Sequence, residues 1–92
     1  MPKKTGRGKR HNRSELYEAW NRKLSHWWRY YNDDYLGSAL KEPMITLTQG
    51  ETVLGQWQPE RRTLSISALH IERDPWIQVM ETLRHEMAHQ YV

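Results

Sequence analysis

Cysteine is absent from the 92 residues. That excludes disulfides and any thiolate zinc site, so a metal could be held only by His, Asp or Glu. Phenylalanine is absent as well, although five Trp and five Tyr are present. All the aromatic bulk therefore carries a polar handle, which suits half-buried positions around a cleft. No apolar run reaches the length of a signal-peptide core or a membrane span. The expectation is a soluble, intracellular chain without a membrane partner, in cytoplasm or nucleoid, or in the nucleus if the source is eukaryotic. The length allows one small domain, which buries only about 60% of the surface that it exposes when unfolded.

Acid is missing from residues 1–13, where Lys3, Lys4, Arg7, Lys9, Arg10 and Arg13 supply six positive charges. The whole chain is +3, so residues 14–92 sum to −3. The basicity belongs to a terminal segment and not to the folded body. With Pro2, Gly6 and Gly8 among its charges, this segment has nothing to bury and is expected to be a disordered basic arm. Such an arm suits phosphate contacts that give salt-sensitive, sequence-independent affinity for DNA; the alternative is a solubilising tail.

From Ser14, a candidate N-cap, Leu16, Trp20, Leu24, Trp27, Tyr31 and Tyr35 recur at helical spacing. They predict a helix with an aromatic core stripe, ending near Asn32–Asp34 or Gly37. Trp28 and Tyr30 fall off that line and are the better candidates for a partner surface, and His26 reads as structural. After Pro43 the period changes to two. Ile45 and Leu47 alternate with threonines, Val53, Gly55 and Trp57 with Leu54 and Gln56, and Leu64 and Ile66 with Thr63, Ser65 and Ser67. Three strands so close together suggest an antiparallel meander. Gly55 inside a strand suggests a close backbone approach or a bulge. Ser67 caps a short helical turn, and Asp74-Pro75 opens a last helix, with Asp74 at the N-cap and Pro75 at the first position.

That last helix carries Trp76, Met80, Leu83 and Met87 on one stripe and His85-Glu86-Met87-Ala88-His89 on its other side. His-Glu-x-x-His on a helix sets two imidazoles one turn apart on one face, where both can ligate one Zn²⁺. Glu86 is then placed as the general base for a metal-activated water, the chemistry of peptide hydrolysis at neutral pH. The bland reading is two surface histidines on a charged helix. Ala88 beside the pair is small enough for another backbone to approach.

Residues 14–92 resemble the first part of a SprT-like domain, the zinc metalloprotease family that includes the Spartan-type proteases of DNA–protein crosslinks. The residues that carry the resemblance are Gly55-Gln56-Trp57, Arg62-Thr63-Leu64-Ser65-Ile66-Ser67, Trp76, and Leu83-Arg84-His85-Glu86-Met87-Ala88-His89-Gln90. The resemblance implies an α+β, zincin-like fold: an N-terminal helix, a three-stranded, mainly antiparallel sheet, and a C-terminal helix that carries the motif. It implies His85 and His89 as zinc ligands, Glu86 as the catalytic base, and a protein or peptide substrate laid along an edge strand. It also implies a third histidine ligand from beyond the motif, and the sequence ends three residues after His89. The expectation is therefore a domain truncated after the His-Glu-x-x-His helix, with its site lacking the third ligand. His70 is the best internal substitute, although the family pattern places no ligand there. The expected function is a zinc metallopeptidase core acting on DNA-associated proteins. The alternative is a non-catalytic nucleic-acid-binding module with a vestigial motif.

Overall fold

The computed structural model describes the backbone of residues 3–92 and the side chains of residues 13–92. Its elements are α1 (Lys3–Tyr35), β1 (Met44–Thr48), β2 (Gly55–Gln58), a 3₁₀ turn (Pro59–Arg61), β3 (Thr63–Ser67), α2 (Ala68–Arg73) and α3 (Trp76–Tyr91). The class is α+β, as expected, with an N-terminal helix, a three-stranded sheet and two C-terminal helices in chain order.

Helix α1 begins well before Ser14 and runs through the segment expected to be a disordered arm. Extending a helix that is already formed fixes one residue per hydrogen bond, and Lys and Arg are good helix formers. The phosphate contacts expected of Lys3, Lys4, Arg7, Lys9 and Arg10 concern side chains outside the described residues. The buried line of α1 is also shifted from the expected stripe. Leu24, Trp28 and Asn32 are buried, whereas Leu16 and Tyr35 are exposed. Trp28 is thus a core residue and not a partner surface, while Tyr30 is exposed and His26 packs edge-on against Trp27. The polar residue that closes this line has a structural task. Asn32 exchanges two 3.0 Å hydrogen bonds with the backbone of Leu40, and its carbonyl accepts from Leu36 and Ser38. Gly37 and Ser38 follow at φ +60° and +62°, the left-handed exit of a helix C-terminus.

The sheet order is β1-β3-β2, with β1 parallel to β3 and β2 antiparallel to it. The sheet is therefore mixed, not the mainly antiparallel meander expected from strand spacing. The chain does reverse twice, but β3 sits in the centre where a meander would put β2. Centrality goes to the strand that can be buried on both faces. Leu64 and Ile66 are fully buried on one side, and Ser65 and Ser67 are buried on the other. The serines satisfy themselves there: Ser67 Oγ donates to Gly50 O at 2.6 Å, and Ser65 Oγ meets Thr46 Oγ1 at 3.0 Å. Strand β2, with Gln56 and Gln58, stays at an edge, as polar side chains favour. Residues 49–62 provide the dozen or more residues that a parallel return requires.

The core lies between this sheet, α1 and α3. It is built from Leu24, Trp28, Ile45, Leu64, Ile66, Ile71, Val79, Met80, Leu83 and Met87. Asn21 Nδ2 donates to Ile45 O at 2.7 Å and pins α1 to the outer strand β1.

Candidate metal centre

Helix α3 starts with Pro75 at its N-cap, whose carbonyl accepts from the amides of Gln78 at 2.9 Å and Val79 at 3.2 Å. Asp74 does not cap it, contrary to expectation. Its carboxylate instead meets His70 Nδ1 at 2.6 Å. The inward face of α3 buries Val79, Met80, Leu83 and Met87, and half-buried Trp76 lies under the Lys23 ammonium at 4.0 Å. Burial of that face fixes the helix about its axis and leaves His85 and His89 outward, both exposed.

The two imidazoles converge. Their Nε2 atoms are 3.3 Å apart, with ring centroids at 4.8 Å and planes at 84°. Two Zn–N bonds of about 2.0–2.1 Å at the tetrahedral angle span about 3.3–3.4 Å between nitrogens. The spacing and the donor type therefore fit a zinc ion shared by the pair. Both nitrogens are unprotonated in that state, whereas a direct hydrogen bond between the rings needs a proton on one of them.

Glu86 lies between the histidines in sequence and is 8% exposed. It is packed this closely because β2 has no side chain opposite it. A Cβ on Gly55 would stand 2.7 Å from Thr82 Cγ2 and 3.1 Å from Glu86 Cγ. Gly55 thus makes the close strand-to-helix approach that its position suggested. The ion pairs among the described residues, Arg29–Glu42 and His70–Asp74, leave Glu86 out. Two open clefts flank the contact. One of about 810 Å³ runs past Gln56, Trp57, Arg62 and His89. The other, of about 510 Å³, runs past Leu54, Thr82 and His85. Gly55 and Glu86 line both. One carboxylate thus serves two openings, each of which also reaches one histidine.

His70 is no third ligand. It is 3% exposed, and both ring nitrogens are engaged, Nδ1 by Asp74 and Nε2 by Thr82 Oγ1 at 2.8 Å. An Asp–His–Thr chain has the connectivity of a hydrolytic triad. Thr82, however, sits within α3, where backbone N–H groups are spent on the helix and none is free to stabilise an oxyanion. Its task is to strut α2 against α3. Among the described residues no group of three or more His, Asp or Glu side chains could hold a metal ion. His85 and His89 are brought together, and among the described residues no further candidate ligand joins them.

Two supports, Gln90 and Arg62, lie in the stretches that carry the resemblance, but nothing local in the sequence gave their roles. Gln90 Oε1 accepts from Trp28 Nε1 at 3.1 Å, while its Nε2 donates to Lys41 O at 2.9 Å. It ties the turn that carries His89 to α1 and to the loop before β1. Arg62, at φ +48°, donates to Lys41 O at 3.0 Å and lies over Trp57 at 5.9 Å. It forms one wall of the larger cleft. Against known proteins, the chain matches no family model, no curated sequence and no solved structure.

Proposed function

We propose that this chain is a zinc-dependent metallopeptidase core of the SprT-like, zincin type, acting on loosely structured protein segments. The observation that carries the reading is the convergence of His85 Nε2 and His89 Nε2 at 3.3 Å beside a carboxylate that opens onto two clefts. Zinc, when bound, supplies Lewis-acid polarisation of a scissile carbonyl and lowers the pKa of water toward about 7. His85 and His89 would hold it through their Nε2 atoms. Glu86 takes the proton of the attacking water on its carboxylate and delivers it to the leaving amine. Partial burial limits the carboxylate's rotamers and keeps it aimed at the openings.

Strand β2 pairs with β3 alone among the described residues, so its outer backbone edge is open beside Glu86. An extended peptide adding to that edge lies across the helix face that carries the motif. The Trp57–Arg62 wall bounds its path on one side. The basic residues Lys3, Lys4, Arg7, Lys9, Arg10 and Arg13 add an attraction for phosphates that favours DNA-associated proteins as substrates. Catalytic zinc sites normally use three protein ligands, and the described residues offer two. Affinity and turnover of this chain are therefore expected to be low.

Chelator-sensitive cleavage of an unfolded protein, lost in Glu86→Gln while zinc retention persists, is the expected result. Salt-dependent DNA binding that survives His85→Ala, with no cleavage under any zinc loading, would instead assign the chain to the non-catalytic nucleic-acid-binding class.

A further inference from the structure

We propose that the cleft bounded by Trp57, Arg62 and His89 is a subsite for a carboxylate of the bound peptide, with the Arg62 guanidinium as its cation. The inference rests on the preceding reading only in taking the open edge of β2 as the peptide's path. It needs neither the metal nor the cleavage. The cleft holds about 810 Å³, and Arg62 is the one lysine or arginine among its described lining residues.

Arg62 is a cation without a carboxylate. The ion pairs among the described residues join Arg29 to Glu42 and His70 to Asp74, and Arg62 is in neither. Its side chain donates to two backbone carbonyls, Lys41 O at 3.0 Å and Glu42 O at 3.5 Å, both from Nη2. The N–H groups of Nε and Nη1 have no acceptor among the described residues. The Trp57 ring, 5.9 Å away, backs the guanidinium at the cleft wall.

The backbone at this position suits glycine. Arg62 has φ +48° and ψ +47°, in the left-handed region, and closes the 3₁₀ turn by donating its amide to Pro59 O at 3.1 Å. Glycine closes such a turn without the penalty that a Cβ brings. What arginine adds at position 62 is therefore its side chain. Part of that side chain is spent on the two carbonyls, and the rest is left to the cleft.

Charge selects the occupant. A strand added to β2 sends alternate side chains to the face that carries Gly55 and Trp57, both of which line the cleft. A carboxylate entering there meets Arg62. Glu86 in the same cleft, and the sum of −3 over residues 14–92, disfavour a run of phosphates. A single acidic group on a peptide therefore suits the cleft better than a nucleic-acid backbone does.

The test is fluorescence anisotropy of labelled, amidated, unstructured peptides binding the full chain in the presence of a chelator. Glu is walked along one sequence and compared with Gln at each position. One Glu position should bind about five- to tenfold more tightly than its Gln counterpart, and the difference should shrink as salt rises. Arg62→Asn removes the charge and tolerates the left-handed backbone, so it should abolish the difference and leave the affinity for the Gln peptide unchanged. Arg62→Glu should reverse the preference toward Lys at the same position, which an arginine with a purely structural role would not do. Both variants should keep the helical signal, because Arg62 is exposed. A Gln peptide with a free C-terminus separates the two sources of a carboxylate. An Arg62-dependent gain confined to that peptide supports the subsite and assigns it to the chain end. No gain with either carboxylate, or a gain that persists in Arg62→Asn, overturns the proposal and leaves the metallopeptidase reading to its own cleavage assay. Failure of every peptide to bind overturns both the subsite and the β2-edge path beneath it. Arg62-dependent displacement of the peptide by a short oligonucleotide overturns the choice of occupant.

Discussion

Gly55→Ala is the substitution whose cost can be worked most directly from the structure. The added methyl would stand 2.7 Å from Thr82 Cγ2, a separation that real Cβ atoms essentially never show. Thr82 cannot swing away cheaply. It is β-branched within a helix, so its χ1 is restricted, and its hydroxyl is held by His70, which Asp74 holds in turn. The strain must go into moving β2 away from α3. Overpacking of this kind costs about 1–3 kcal/mol. Loss of glycine's freedom in the unfolded chain returns about 0.4–1 kcal/mol. The net expectation is about 1–2 kcal/mol of destabilisation, or a fall in melting temperature of roughly 5–15 °C for a domain this small. Thermal and urea unfolding followed by tryptophan fluorescence read this directly. The decisive partner is Thr82→Ser, which deletes the clashing methyl and keeps the hydroxyl for His70. Gly55→Ala/Thr82→Ser should regain most of the lost stability. If Gly55→Ala melts with the parent chain, or if serine at position 82 rescues nothing, the close approach of β2 to the motif helix is wrong.

Gln90→Ala removes two hydrogen bonds that tie α3 to α1 and to the loop before β1, leaving Trp28 Nε1 without its acceptor. A loss of about 1–2 kcal/mol in urea unfolding is expected, together with weaker zinc retention as the His89 turn loosens. His70→Ala empties a buried site and frees Asp74 and Thr82, so about 2–4 kcal/mol should be lost in the same assay, with zinc stoichiometry unchanged. Leu24→Ala, at a fully buried position, should cost about 2–5 kcal/mol, whereas Leu16→Ala on the exposed part of α1 should stay within about 0.5 kcal/mol. Deleting residues 1–13 should flatten the dependence of duplex DNA affinity on salt, by a slope of about 0.9 for each phosphate that the segment neutralises.

The elements and their types were legible because each has a local cause. The period of 3.6 around Leu24 and Leu83, the period of two around Ile45 and Leu64, and the Ser67 cap act within a few residues of themselves. Strand order was not legible. It depends on which strand can bury both faces, and Ser65 and Ser67 look solvent-facing until the Ser67 hydroxyl is seen to donate to Gly50 O and the Ser65 hydroxyl to pair with that of Thr46. The buried line of α1 was hidden for a related reason. Asn32 looks like a helix terminator in sequence, yet it is the polar end of a buried row whose amide is satisfied by Leu40. The roles of Asp74 and His70 were likewise concealed, because a proline that follows an aspartate signals a cap whether or not the carboxylate is claimed elsewhere.

Sequence alone placed two imidazoles and a carboxylate at a fixed interval on one helix, with no cysteine in the 92 residues. Tertiary structure decided what those donors face. The buried stripe of α3 sets the rotation that turns His85 and His89 outward, and Gly55 lets an edge strand close over Glu86. A helix carries its spacing in its own hydrogen bonds. Its orientation and neighbours come only from what it is packed against.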